Sequence, residues 1–264
     1  MQTPLNIAFS PCPNDTFIFY GMIHKKIDTS IDYLPTLADV ELLNKQTLAG
    51  SNIISKISFG VLPFIRNQYT LLQCGGALGF KNGPMLIAAK PIDLNQQPLR
   101  FGIPGESTTA TKLLRYFYPH LTNKKELLFS DIETALLNGA IDLGLIIHES
   151  RFTFQSRGLI EIADLGEQWF REFNLPLPLG AIVLRNDFIE YREQIEQDIR
   201  NSIQFAYDHT DKAMPYIKQH AQDMSEDVVL KHINLYVNQY SLDIGKDGAE
   251  AIKQLSNLST AKRV

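Results

Sequence analysis

Short apolar runs alternate with segments of helical periodicity along the first two thirds of the chain. Leu5–Phe9 is apolar and ends in a proline-rich turn, and Asp15 and Thr16 then open an apolar helical stretch. The same order of strand and helix recurs around Ile53–Phe59 and Ile141–Ile147. Alternation of this kind predicts an α/β fold with a largely parallel sheet.

Several predicted helices have recognisable ends. A helix over Asp39–Leu48 stops at Gly50, which is a common residue just beyond a helix C-terminus. Ser130 and Glu133 have the Ser-x-x-Glu spacing of a capping box, and the helix that they predict ends at Gly139. An apolar run follows each of these helices, Ile53–Phe59 after the first and Ile141–Ile147 after the second, as the α/β interpretation requires.

The order of the elements predicts two lobes. The larger α/β lobe combines residues 1–91 with residues 179–264, and the smaller α/β lobe is formed by residues 92–178. The last third of the chain, from Asp187 on, is predicted to be helical because its apolar residues recur at spacings of three and four. A chain that crosses twice between two lobes has the arrangement of the type II periplasmic-binding-protein-like fold. The ligand cleft between such lobes suits a small polar or anionic molecule.

Composition and charge exclude several classes of protein. The chain has 264 residues, of which 44% are hydrophobic and 20% charged, enough for one large or two modest globular domains. A net charge of -4 without a basic stripe argues against a nucleic-acid partner. No apolar run approaches the roughly 20 residues of a membrane span, so no membrane association is expected. No obligate protein partner is evident either.

The beginning of the chain and its two cysteines bear on the cellular compartment. The first residues lack the positive segment and the long apolar stretch of a secretory signal, so we expect a cytoplasmic protein. Cys12 and Cys74 match no metal-binding spacing. Reduced thiols are the expected state, although a single disulfide is also compatible with the sequence.

Polar residues follow the predicted strands at the edge where ligands bind open α/β sheets. Asn14 lies in a turn with two prolines at the start of a helix, which suits either a binding site or a rigid turn with a helix cap. Lys56 lies in an otherwise apolar strand next to Ile57 and Ser58. A buried ammonium needs a partner, so Lys56 either faces a ligand carboxylate or lies on an exposed edge.

A second pair of candidates comes from the predicted smaller lobe. Gly105 and the hydroxyl residues after it begin a helix, where free N–H groups can bind an anion or the residues can simply cap the helix. His148 ends a buried strand, and a free histidine titrates near pH 6.5, which suits a general base at neutral pH. Glu149, Ser150 and Arg151 follow it and are candidates to orient it.

The remaining chemistry-bearing residues match no further site. The other histidines fall on predicted helices or their flanks and are interpreted as surface or packing residues: His24, His120, His209, His220 and His232. The sequence has no zinc signature, nucleophile elbow, P-loop or dinucleotide fingerprint. We therefore expect neither a metal nor a redox or nucleotide cofactor.

Long runs of residues resemble a known enzyme family in the same order along nearly the whole chain. They are Ser10–Phe17, Lys56–Ser58, Cys74–Gly79, Ser107–Ala110, Gly144–Phe152, Pro176–Ala181, Tyr236–Asn238 and Ser241–Asp243. Together they closely resemble the 1,4-dihydroxy-6-naphthoate synthases of the futalosine route to menaquinone. The runs Ser-Pro-Cys-Pro-Asn-Asp-Thr-Phe and Ile-Ile-His-Glu-Ser-Arg-Phe are too long to agree by chance.

The resemblance implies a specific activity and site. The family is cytoplasmic, has the two-lobed fold, and converts cyclic dehypoxanthine futalosine to 1,4-dihydroxy-6-naphthoate and dihydroxyacetone without metal or redox cofactor. The family's base corresponds to His148. Its substrate contacts correspond to Lys56, Ile57, Ser58, Thr108, Thr109 and Ala110, and Asn14 is added from its place in the first run. No role is implied for Ser107.

Two other functions remain as alternatives. A chorismate dehydratase of the same pathway shares the fold, although the run around His148 argues against it. A non-catalytic protein that binds a small anion is the more distant alternative, and the chain offers neither a secretory signal nor a DNA-binding segment in its support.

For the naphthoate synthase reaction, the expected mechanism is removal of a substrate proton by His148 followed by carbon–carbon cleavage.

Overall fold

The computed structural model describes residues 4–95, 98–221 and 225–258. Its strands are β1 (Leu5–Phe9), β2 (Tyr33–Leu37), β3 (Ile54–Ser58), β4 (Tyr69–Leu71), β5 (Ala77–Gly79), β6 (Met85–Ala88), β7 (Phe101–Ile103), β8 (Lys124–Glu126), β9 (Leu143–Ile146), β10 (Ile160–Asp164) and β11 (Leu177–Arg185). Its α-helices are α1 (Pro13–Ile23), α2 (Val40–Leu48), α3 (Leu62–Ile65), α4 (Thr109–Phe117), α5 (Ile132–Leu137), α6 (Ser150–Thr153), α7 (Leu165–Phe173), α8 (Arg192–Asp208), α9 (Thr210–His220), α10 (Glu226–Tyr236), α11 (Gln239–Leu242) and α12 (Gly245–Asn257).

The strands form two sheets of mixed direction. The first has the order β2-β1-β3-β11-β4, with β5 also paired to β11, and the second has the order β10-β6-β9-β7-β8. β1 is parallel to both its neighbours, and so is β7. β11 and β6 are antiparallel to every strand with which they pair. The prediction of a largely parallel sheet is therefore wrong, because these two strands lie at the crossings between the sheets.

The chain passes from one sheet to the other twice, close to the predicted lobe boundaries. The chain leaves the first sheet after β5 and enters the second at β6, so the passage comes a few residues before the predicted boundary at residue 91. It returns between β10 and β11, next to the predicted boundary at residue 178. The exact division into lobes stays a prediction. One apolar core includes Ile57 from the first sheet and Leu145 from the second, so the sheets pack against shared side chains.

Helix α1 is buried along almost its whole length at the centre of the first lobe. Its apolar residues pack with α8, α9 and α10, which belong to the predicted helical C-terminal third. The helix begins at Pro13, two residues before the predicted start, because proline fits the first turn of a helix where its missing N–H is not needed. Ser10, just after β1, donates its N–H and hydroxyl to the carboxylate of Asp15 in the first turn of α1, which links the two elements.

One predicted helix start is wrong. Ser130 lies within a 3₁₀ turn over Phe129–Asp131, and its hydroxyl donates to the side chain of Asp131 at 3.3 Å instead of capping α5. The capping box expected with Glu133 is absent, and the Glu133 carboxylate pairs with Arg157 at 2.5 Å.

Among the helices of the described ranges, none combines the length and the apolar composition needed to cross a membrane.

Candidate active site

A cavity opens between the strand ends of the two sheets. It contains about 650 Å³ of space not filled by protein atoms, part of which is open to solvent, and both sheets contribute to its wall. The structure brings the predicted base and all the predicted substrate contacts to this one cavity: Asn14, Lys56, Ile57, Ser58, Thr108, Thr109, Ala110 and His148. Residues more than 130 positions apart in the chain therefore face the same space.

Lys56 is paired inside the protein. Its Nζ atom lies 2.9 Å from Oδ1 of Asp15 and donates to the carbonyl oxygen of Gly75 at 2.8 Å. Ser10 donates its hydroxyl to the other carboxylate oxygen of Asp15 at 2.7 Å. Lys56 is only 4% exposed, so the alternative of an exposed edge is wrong. Because Asp15 already neutralises it, its charge is not free for a ligand carboxylate.

The start of α4 forms another part of the cavity wall. Thr108 caps the helix, since its hydroxyl oxygen accepts from the N–H of Thr111 at 3.2 Å. Thr109 donates its hydroxyl to the carbonyl of Leu179 at 3.0 Å and accepts from the N–H of Gly60 at 3.0 Å. Both threonine hydroxyls are thus engaged within the protein. The first-turn N–H groups, including those of Thr109 and Ala110, are the groups a helix leaves for an anion.

A buried carboxylate joins the two lobes beside this helix. Glu41, at the start of α2, accepts from the N–H of Ser107 at 3.2 and 3.3 Å. Burial raises the pKa of Glu41, although the Ser107 and Asn44 donors oppose that effect. Gly105 makes room for this contact, because a Cβ atom there would lie 2.3 Å from Oε2 of Glu41. Its φ of +151° is also a conformation that favours glycine.

His148 is held in an uncommon backbone conformation at the end of β9. Its φ is +58°, in the left-handed region that non-glycine residues seldom adopt, and strain of this kind clusters at functional sites. Its half-buried ring meets the ring of Phe129 edge-on, with centroids 5.1 Å apart. Arg151 binds the carbonyl of Gly83 and the carboxylate of Asp164 instead of orienting His148.

Glu149 is a buried carboxylate next to His148. Burial raises its pKa, and the electrostatic interaction with His148 opposes that effect. Its Oε2 atom has no hydrogen-bond partner among the described residues. The structure therefore contains no hydrogen bond by which Glu149 fixes the ring of His148. The sequence-based expectation that residues 149–151 orient the base through their side chains is not met.

His232 is buried behind the cavity wall, although the sequence pattern suggested only a surface or packing residue. Its Nε2 atom lies 2.9 Å from Oδ1 of Asn14, and its ring is nearly parallel to that of His148, with centroids 6.3 Å apart. Burial lowers the pKa of His232 well below the usual value, and the electrostatic interaction with neighbouring His148 adds to this. A pattern confined to one helix could not indicate this contact between lobes.

Other residues of the wall were also missed as site residues. They are Ser10, Asp15, Val40, Ala77, Asn82, Gly83, Pro84, Ile147, Leu179, Gly180 and Tyr236. Several belong to the runs that carry the family resemblance, such as Pro176–Ala181 and Tyr236–Asn238. Membership of those runs is the sequence feature that could have indicated them. Val40, Ala77, Ile147 and Leu179 make much of the wall apolar, as is common in pockets for small molecules.

The cysteines are free thiols, as expected, and both are buried. Burial raises the pKa of Cys12 well above the usual value and that of Cys74 to about 12, so neither is an activated thiolate. Over the ranges that the structure describes, no group of three or more His, Cys, Asp or Glu side chains is arranged to hold a metal ion.

Comparison with known proteins assigns the family. Residues 5–261 match a family model described as menaquinone biosynthesis. The chain belongs to the menaquinone biosynthesis family. Within this family it is 39% identical to a 1,4-dihydroxy-6-naphthoate synthase of Thermus thermophilus, over 95% of this chain and 92% of that one. It is 36% identical to a protein of the same name from Streptomyces coelicolor, over 98% of this chain and 93% of that one.

Solved structures show the fold of this menaquinone biosynthesis protein. A crystal structure of a protein from Archaeoglobus fulgidus superposes with a TM-score of 0.92 at 30% identity and covers 97% of this chain and 96% of its own. The periplasmic aliphatic sulphonate binding protein of Escherichia coli superposes with a TM-score of 0.66 at 11% identity, over 98% and 87% of the two chains. The predicted periplasmic-binding-protein-like fold is confirmed.

Proposed function

We propose that this protein is a carbon–carbon lyase that converts cyclic dehypoxanthine futalosine to 1,4-dihydroxy-6-naphthoate and dihydroxyacetone. Membership of the menaquinone biosynthesis family and the shared name of two relatives support this reaction. The observation that carries the proposal is the position of His148, which faces the same cavity as the seven other predicted site residues. The substrate's identity rests on the relatives' name and on the family resemblance.

The cavity suits an organic substrate that becomes aromatic. Ile57, Ala110 and Leu179 supply apolar wall, while Asn14 and Ser58 place polar groups among them. The Lys56 charge is neutralised by Asp15, so a substrate carboxylate would be bound by the N–H groups at the start of α4. In this proposal the helix terminus also stabilises an oxyanion that develops during the reaction.

His148 is the proposed general base. It removes a proton next to a carbonyl of the substrate, and the electron pair left behind is held as an enolate. The enolate pair then forms a double bond of the new ring as the adjacent carbon–carbon bond breaks, and the electron pair of that bond leaves on the dihydroxyacetone fragment as its enolate. That enolate takes back the proton held by His148, and formation of the naphthalene ring provides much of the driving force. General-base catalysis of this kind contributes roughly 10²–10⁴-fold to the rate. Contacts between the lobes, such as that of Glu41 with Ser107, would exclude water from the anion.

Turnover by the purified protein tests the proposal. The protein is incubated with cyclic dehypoxanthine futalosine, and the naphthoate is followed by absorbance and by mass. We expect product from the wild type and loss of most turnover in H148Q, with binding of substrate retained. H220Q is the matched control, because His220 lies at the end of α9 and is not part of the cavity wall.

The alternatives are tested in the same assay. Turnover of chorismate instead would replace the proposed reaction by the dehydratase alternative. Tight binding of the substrate without product would favour the non-catalytic alternative, and a near-normal rate in H148Q would overturn the role of His148. A cytoplasmic location and the absence of an obligate protein partner or cofactor remain predictions.

A further inference from the structure

The side chain of Asn14 can take only one orientation in this structure. Its amide group lies between the Oδ1 atom of Asp15, at 2.8 Å, and the Nε2 atom of His232, at 2.9 Å. The Asp15 carboxylate, which is paired with Lys56, can only accept hydrogen bonds, so the Asn14 NH₂ group must face it. The amide oxygen of Asn14 consequently faces His232.

That orientation determines the protonation of His232. An amide oxygen accepts hydrogen bonds, so Nε2 of His232 must carry a proton. The other ring nitrogen, Nδ1, is buried and has no hydrogen-bond partner among the described residues. A cationic ring would leave a buried N–H without a partner, and burial lowers the pKa of His232. His232 is therefore a neutral imidazole with its proton on Nε2.

The ring of His232 also lies against the proposed base. The planes of His148 and His232 differ by 16°, and their centroids are 6.3 Å apart, within the range of an offset stack. Phe129 meets the ring of His148 edge-on. Among the described residues, no hydrogen bond to the ring of His148 is formed. Ring contacts are therefore what hold this side chain in place.

We propose that His232 is a positioning residue for both sides of the cavity. Its Nε2–H group fixes the amide of Asn14 in the wall, and its ring supports the ring of His148 across the cleft. His148 belongs to the second lobe and His232 to α10 of the first, so the stack forms only where the lobes meet. This inference rests on the proposed function, since it assigns His148 as the base.

Two substitutions separate the two contacts of His232. H232Q keeps an N–H donor for Asn14 but removes the ring, and H232F keeps a ring but removes the donor. Because a misplaced base slows the chemical step, we expect H232Q to lower kcat roughly 10-fold with KM within about twofold of wild type. H232F should raise KM more than it lowers kcat, because the freed Asn14 amide disturbs the binding wall. H220Q is the control and should change neither constant.

Nuclear magnetic resonance of protein labelled with ¹⁵N-histidine tests the same inference without turnover. We expect the wild type to show His232 as the neutral Nε2–H form at pH 7, and H148A to shift the ring protons of His232. A proton on Nδ1, or His232 ring signals unmoved in H148A, would overturn the proposal, as would wild-type kinetics in both His232 variants. If the wild type does not turn over the substrate, the proposed function fails while these spectra still decide the geometry.

Discussion

The ammonium group of Lys56 and the carboxylate of Asp15 form an ion pair buried in the wall of the cavity, with Nζ and Oδ1 2.9 Å apart. The two residues come from β3 and from the first turn of α1, so the pair joins two elements of the first lobe. Gly75 and Ser10 complete the hydrogen bonds of the two groups. Lys56, which the sequence pattern suggests as a ligand contact, therefore links β3 to the first turn of α1 in the cavity wall.

Removing one member of this pair should destabilise the protein strongly. K56M leaves the Asp15 carboxylate buried without its counter-ion, so we expect the free energy of unfolding to fall by about 3–5 kcal/mol. The loss is measured by urea denaturation. The double variant K56M/D15N should lose less than the sum of the single variants, because it removes both charges. K231M, which breaks an exposed pair with Asp227, is the control and should cost less than about 1 kcal/mol.

At position 148, replacement by glycine should destabilise the protein less than replacement by alanine. H148G and H148A both remove the imidazole, so both should abolish most turnover. At φ +58° only glycine avoids the steric cost of the left-handed region, which is about 1–2 kcal/mol for other residues. We therefore expect H148G to be more stable than H148A by about 1 kcal/mol in thermal unfolding. Equal stability would contradict a strained backbone at His148.

Glu41 should make stability depend on pH. Its pKa is raised in the folded protein, so the folded state retains the proton to a higher pH than the unfolded chain does. This contribution to stability is fully present below the unfolded-state pKa and is lost as the pH rises through the folded-state pKa. E41Q keeps an acceptor for Ser107 and cannot ionise. The unfolding free energy of wild type relative to E41Q should therefore fall as the pH rises above the ordinary glutamate pKa.

Thermal denaturation of both proteins across this pH range measures the difference. Other carboxylates with raised pKa values, such as Glu149, contribute equally to both proteins and cancel in the comparison. A difference that is constant with pH, or that rises with it, would contradict the assignment to Glu41.

Gly105 should tolerate no side chain. In G105A the new Cβ meets the buried Glu41 carboxylate, and the backbone at φ +151° is unfavourable for alanine. We expect a loss of stability and an increase in KM, since the start of α4 would move. G139A is the matched control, because Gly139 also has a positive φ of +67° but nothing lies within 4 Å of its Cβ position. It should cost only the backbone strain of about 1–2 kcal/mol and leave KM unchanged.

The local pattern of the sequence predicts much of the secondary structure. Leu5–Phe9 is a strand as predicted, and Asp39 caps a helix that ends at Leu48. These features depend on apolar periodicity and on capping residues that lie within a few positions of one another. The sequence pattern does not predict the direction of β6 and β11. Their antiparallel pairing at the crossings depends on how the two sheets meet.

The candidate site also depends partly on local sequence and partly on tertiary structure. The sequence by itself determined which residues could carry the chemistry: His148 after a buried strand, Thr108 at a helix start and Lys56 within an apolar strand. Only the tertiary structure decided how those residues are used. Asp15 neutralises Lys56, and His232 reaches His148 from another lobe, because these contacts join positions far apart in the chain that become neighbours only when the sheets and helices pack.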